Sequence, residues 1–196
     1  MPRSLILLAA ALTCAWSAAA TDVTVVVDFN GPYSDRSVEE MKREAAGIMK
    51  DSGLHLEWKS RDTVGVTSYP NLVLVRFKGR CVLEPEPMLY DERGPFAFTY
   101  SSDGDVLPFT EVACDHVTAS VQSAISGDDF SRLDYLMGRA LGRVVAHELV
   151  HILTRSEGHA HEGVAQPALS GRELIGAPLK LSRGEVERLR REFAAK

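Results

Sequence analysis

Apolar residues along the chain fall first into a dense β-branched run and then into helical repeats. Val23 to Phe29 (VTVVVDF) is apolar up to the turn signal Asn30-Gly31-Pro32, which predicts a buried first strand. Val38, Met41, Ala45, Ile48 and Met49 then recur at helical spacing behind Ser37 and Glu40, a capping-box pair, and Gly53 stops the run. A helix is expected over residues 38 to 51. Leu54 to Lys59 alternates apolar and polar residues, and Asn71 to Phe77 is another β-rich apolar run, so both read as strands. The helix between the first two strands is long enough for a crossover, which makes those strands parallel neighbours.

Residues 80 to 95 hold Pro85, Pro87, Gly94 and Pro95, too many breakers for a central element, and read as a surface loop. Phe96 to Tyr100 and Val106 to Val112 flank Ser101-Ser-Asp-Gly-Asp105 in the manner of a hairpin. Ser131 with Asp134 then opens a long helical pattern. Leu133, Leu136, Met137, Ala140, Leu141, Val144, Val145 and Ile152 make its broad apolar face, and it runs to Thr154. Ser182 with Glu185 begins a C-terminal helix carrying Val186, Leu189 and Phe193. The order of elements gives an α+β chain with a mixed sheet, and 196 residues suit a single domain.

The first twenty residues differ in kind from the rest. Arg3 supplies a positive start, Leu5 to Leu12 is continuously apolar, and Ala18-Ala19-Ala20 ends the stretch, the order of a secretory signal peptide cleaved before Thr21. The division expected is therefore a leader over 1–20 and one domain over 21–196, destined for the periplasm or the exterior. The apolar run is too short for a transmembrane helix, which needs about 20 apolar residues. Loss of the leader removes one of 22 basic residues and none of 27 acidic ones, taking the net charge from −5 to −6. Such a chain has no basic field, which argues against nucleic acid and anionic membranes as partners; a monomer is expected. Cys14 leaves with the leader. Cys81 and Cys114 remain, an even count in an oxidising compartment, and either form a disulfide worth about 3 to 4 kcal/mol or stay as two buried thiols.

Four of the six histidines, His147, His151, His159 and His161, fall within fifteen consecutive residues. His147-Glu148-Leu149-Val150-His151 is an H-E-x-x-H motif inside the long predicted helix. Residues four apart stand one turn apart on the same helix face, so both imidazoles reach one ion. Glu148 sits about 100° around the helix, beside the ion without ligating it. Imidazole donors suit zinc, and a hydrolytic zinc site has three protein ligands and an open position. The third ligand is open among His159 and His161, just beyond the helix, and Glu173, which also reads as the acid of a capping box with Ser170. His55 and His116 sit in strand-like segments far from the cluster in sequence and read as structural.

The motif and its sequel resemble the metzincin-type zinc peptidases, in which a glycine-assisted turn after the active-site helix delivers a third histidine. In the usual spacing that glycine and histidine would stand where Thr154 and Glu157 are; the turn here is two residues longer, with Gly158 and His159 in those roles. Small secreted bacterial zincins are similar in following the helix with His-x-x-x-Gly-Ile-Met, matched here by His159-Ala-His-Glu-Gly163-Val164-Ala165, with Ala165 in place of methionine. The resemblance covers residues 131 to 165 and favours His159 as third ligand. It implies a zincin-like fold, one catalytic Zn2+ on His147, His151 and His159, and Glu148 as general base in endopeptidase hydrolysis of peptide or protein substrates. It also implies that an edge strand receives extended peptide, with Phe96 to Tyr100 or Val106 to Val112 as the candidates. An oxyanion donor is not selected by spacing among Tyr69, Tyr90, Tyr100 and Tyr135. Two other classes stay open: a zinc-binding domain with weak or no activity, and an exported interaction module built on the disulfide-linked loops.

Overall fold

Five β-branched or aromatic-rich segments pair into one sheet, and an interior strand, β1 (Thr21–Asn30), is buried on both faces. The structure, a computed structural model, describes residues 21–65, 68–69, 71–84 and 94–194. The leader with Cys14, and Pro85, Pro87 and Tyr90 of the proline-rich segment, lie outside the described residues. Val23, Val25 and Val27 of β1 point to one side, while Thr24 and Val26 are buried on the other, the pattern of a strand flanked by parallel neighbours. β2 (Leu54–Ser60) runs parallel to it on one side and β3 (Leu72–Lys78) on the other, so that Val25 stands opposite both Trp58 and Val73. β5 (Asp105–Ala113) is parallel to β3, and β4 (Ala97–Ser102) closes the edge antiparallel to β5, giving the order β2-β1-β3-β5-β4.

The β4–β5 hairpin turns on Asp103 and Gly104, at φ 54° and 86°. Two successive left-handed residues match the right-handed twist of the strands and fix their register. That register places Val106 to Val112 inside the sheet and leaves Phe96 to Tyr100 as the edge candidate.

The helices are α1 (Asp35–Met49), α2 (Cys114–Gln122), α3 (Leu133–Thr154), α4 (Gly171–Ile175) and α5 (Arg183–Ala194). α1 makes the connection between β1 and β2, and those strands are parallel as its length implied. Met41, Ala45, Ile48 and Met49 of α1 join Leu136, Met137, Leu141 and Val145 of α3 and Val73, Val75 and Phe77 of β3 in one core. Among the described residues no helix is long and apolar enough to cross a membrane. Cys81 and Cys114 are bonded, with Cα atoms 4.9 Å apart, and tie the chain beyond β3 to the first residue of α2.

Two helix starts differ from the sequence reading, and α2 and α4 stand where no helix was expected. α1 begins three residues earlier than expected, at Asp35 behind Ser34. Ser37 is buried within the helix and its hydroxyl donates to Asp134 Oδ1 on α3 at 3.3 Å, a tertiary contact that imitates a capping pattern. Ser131 does not cap α3 but donates to the Asp128 carbonyl inside a 3-10 run, Gly127–Arg132, whose own box is formed by Ser126 and Asp129. His116 lies in α2 and not in a strand: Cys114, Val117 and Val121 are buried at helical spacing, but over only nine residues that follow directly on β5. The Ser182–Glu185 box does open α5: Ser182 N donates to Glu185 Oε2 and Glu185 N to Ser182 Oγ.

α1 and α3 touch where α3 has glycine. A Cβ at Gly138 would meet Ser37 O and Glu40 Cβ at 2.5 Å, and one at Gly142 would meet Met41 O at 2.7 Å and Glu44 Cβ at 2.8 Å. Gly142→Ala is expected to lower stability by about 1 to 3 kcal/mol, the usual penalty of overpacking a tight contact. Gly47→Ala on the open side of α1, where a Cβ meets nothing within 4 Å, should instead gain about 0.5 to 1 kcal/mol through helix propensity. Thermal or denaturant unfolding of the two variants checks both signs.

Candidate metal centre

α3 carries its two histidines on the face turned toward the sheet's β4–β5 edge. His147 and His151 stand one turn apart, and His151 Nε2 lies 3.0 Å from His147 Nε2. Each ring is held through its other nitrogen: His147 Nδ1 donates to the Val164 carbonyl at 3.0 Å, and His151 Nδ1 donates to the Ser156 carbonyl at 2.7 Å. With the proton fixed on Nδ1, each neutral ring turns an Nε2 lone pair toward the other. Two lone pairs at that separation repel unless a cation stands with them. His159 completes the group, its ring centroid 5.3 Å from that of His147 and 4.8 Å from that of His151, and the three rings offer nitrogens all within 4.8 Å of one another.

This donor set fits zinc, since two nitrogens at 2.0–2.1 Å from a tetrahedral ion stand about 3.3 Å apart. Burial pushes the His147 imidazolium down from the ordinary histidine range, against the pull of Glu148, and burial with the neighbouring His151 does the same at His159. Both effects favour the neutral ring that a metal requires.

The path from α3 to His159 is set by Arg155 rather than by Gly158. Arg155 takes the left-handed conformation at φ 49°, its N–H and that of Ser156 returning to the last carbonyls of the helix, whereas Gly158 has no positive φ. The reversal thereby presents the Ser156 carbonyl to His151. Gly163, at φ 83°, makes the second turn, and a Cβ there would meet the Lys180 carbonyl at 2.6 Å. Val164 N donates to that same Lys180 carbonyl, and Ala160 N to the carbonyl of Ala165. The buried 163–165 turn, with alanine where the resemblance has methionine, thus supplies a carbonyl that orients His147.

The other ligand candidates are engaged elsewhere. Glu173 accepts from Ser170 N, Ser170 Oγ and Gln166 Nε2, and those bonds hold its carboxyl below the ordinary range; it is the capping acid of α4. His161 is exposed and outside the converging group. His55 bonds Asp22, and His116 Nδ1 faces the Pro95 carbonyl at 2.8 Å. Tyr100 donates to Glu111, Tyr69 lies under Lys59, and Tyr135 lies beside Arg132 and Arg139. None of these three tyrosines lines the cavity described next.

Over the histidines opens a cavity of about 610 Å³, within the size range of small-ligand and peptide side-chain sites. Phe96, just before β4, forms one wall with Ala97 and Thr99 of that strand; Val144 with Pro167 and Leu169 forms an apolar wall; Glu148 and Glu157 are its acids. Glu148 is itself buried, with Oε2 accepting from Thr99 Oγ1 at 2.5 Å and from Thr110 Oγ1 at 3.3 Å, and Oε1 4.0 Å from His147 Nε2. Neither threonine is visible as a site residue in the sequence, because strand threonine at a polar position is commonplace.

No family model matches the sequence, and no curated protein matches it. Among solved structures, archaemetzincin from Methanopyrus kandleri is similar with a TM-score of 0.50 at 14% identity, over 91% of this chain and 98% of that one. The likeness establishes the fold, a single zincin-like α+β domain with a mixed five-stranded sheet.

Two substitutions probe the turns. Gly163→Ala, which cannot keep the Val164 carbonyl on His147, is expected to weaken zinc binding about 10- to 100-fold, the usual effect of losing a group that orients a ligand. Competition with a chelating dye measures it. Arg155→Gly relieves a left-handed non-glycine residue and should gain about 1 kcal/mol in stability, read from denaturant unfolding.

Proposed function

We propose that this protein is a secreted zinc-dependent endopeptidase with His147, His151 and His159 as zinc ligands and Glu148 as general base. The observation that carries the reading is the convergence of three imidazoles with a carboxylate beside them at the floor of a cleft. The likeness to a zinc peptidase fold supports it, and the leader sequence and the Cys81–Cys114 bond support export.

His147, His151 and His159 would hold a zinc ion, which when bound would supply a Lewis acid for the peptide carbonyl and make a water beside it far more acidic. Glu148 takes the proton of the attacking water on Oε1 and returns it to the departing amine nitrogen, so that the carboxylate is regenerated. The Nδ1 bonds to Val164 and Ser156 hold two rings in one tautomer throughout. An extended substrate adds to the free edge of β4, the arrangement in which main-chain bonds give affinity and side-chain pockets give selectivity. Val144, Pro167 and Leu169 accept an apolar side chain, and Glu157 disfavours an acidic one.

Glu148→Gln keeps the shape and removes the base. It should retain about one zinc per chain by elemental analysis and lose at least about 100-fold in peptide cleavage. Equal cleavage by the two proteins would exclude this reading. A peptide library should show cleavage beside leucine or phenylalanine in preference to aspartate or glutamate.

A further inference from the structure

The carboxylate of Glu148 is not symmetric in its surroundings. Oε2 receives both threonine hydroxyls, while Oε1 is the oxygen toward His147 Nε2. The 2.5 Å contact from Thr99 is in the short range of a hydroxyl donating to an ionised carboxylate. Thr110 has one proton and two acceptors in reach, Glu148 Oε2 at 3.3 Å and the Phe98 carbonyl at 3.2 Å, which makes Thr99 the principal donor.

The two threonines are not neighbours by accident of side-chain reach. Thr99 of β4 and Thr110 of β5 are direct cross-strand partners, and directly opposed residues share a face of the sheet. Just beyond them the register shifts between Thr99 and Ser101, an irregularity of the kind that re-aims side chains near active sites. A slip of β4 by one residue against β5, which β3 holds in place, would turn the Thr99 hydroxyl to the far face. There Tyr100, Glu111, Arg76 and Lys78 already form their own network.

We propose that Thr99, assisted by Thr110, is the positioning residue of Glu148, reserving Oε2 for the sheet and presenting Oε1 to the reacting water. This assignment rests on the peptidase reading given above. It links the base to the strand that receives substrate: the backbone of β4 forms the cleft edge, and its inward side chain fixes the proton acceptor. With the Thr99 hydroxyl removed, the carboxylate loses its shorter anchor and can turn about its terminal torsion, a soft, roughly two-fold degree of freedom.

The test uses the zinc-loaded mature chain and the variants Thr99→Val, Thr99→Ala, Thr99→Ser and Thr110→Val. Thr99→Val and Thr99→Ala should lower kcat about 30- to 100-fold with KM within about twofold of wild type, as expected when a reacting group is misplaced rather than removed. Thr99→Ser, which keeps the hydroxyl, should recover to within about threefold, and Thr110→Val should lose less than about tenfold. Zinc content and melting temperature serve as controls for folding. Crystal structures of zinc-free wild type and Thr99→Ala give a readout independent of turnover, with the carboxylate expected to leave its wild-type orientation in the variant. Unchanged kcat in both Thr99→Val and Thr99→Ala, or an unmoved carboxylate in Thr99→Ala, overturns the assignment while leaving the peptidase reading intact. A wild type that binds zinc and cleaves no peptide overturns the peptidase reading, and this assignment with it.

Discussion

A guanidinium with no exposed surface must have its charge balanced and its donors occupied, and Arg143 meets both requirements by joining three parts of the chain. Its Nε donates to Glu44 of α1 at 2.8 Å, Nη1 donates to the Glu173 carbonyl, and Nη2 reaches the carbonyls of Gly176 at 3.3 Å and Ala177 at 2.8 Å. Arg143 precedes His147 by one turn of α3. The clamp therefore fixes the rotation of the ligand-bearing helix against α1 and against the segment that follows α4. Removing one partner of a buried charge typically costs about 3 to 5 kcal/mol, so the clamp constrains the helix far more than a surface pair would. Gly138 and Gly142 let α1 come close enough for Glu44 to reach it.

From that fixed helix the centre is assembled by main-chain carbonyls as much as by side chains. Val164 and Ser156 each give an oxygen to an imidazole Nδ1, and each oxygen is placed by a turn with a left-handed residue, Gly163 for one and Arg155 for the other. The small side chain of Ala165 is compatible with this because the contact to His147 comes from the backbone one residue earlier. The methionine of the resembling families is thus absent without loss of the hydrogen bond that sets the ring.

The sheet supplies the other half of the site. β4 is an edge strand whose register with β5 is set by the Asp103-Gly104 turn, and it carries Thr99 on the side of Glu148 and Phe98, 59% exposed, on the other. The far face is held by its own contacts, Arg76 to Asp28 and Tyr100 stacked on Phe109. The cleft edge and the hydroxyls that hold Glu148 are in this way parts of one hairpin.

The residue pattern by itself determined the strands around β1, the existence of α1, α3 and α5, the parallel pairing of β1 with β2, and the nomination of His147, Glu148 and His151, while the choice of His159 came from the resemblance. Those features are local: β-branched runs, helical periodicity, and ligands spaced four apart on one helix write their consequences into adjacent residues. Tertiary structure alone decided the rest. That Ser37 is a buried partner of Asp134 rather than a cap, that Arg155 makes the reversal in place of Gly158, that Glu173 is spent on Ser170 and Gln166, and that two threonines from neighbouring strands meet on one carboxylate all depend on what stands opposite in space. A serine, a glycine or a threonine has the same local preferences in either role, and only the partner across the fold selects between them.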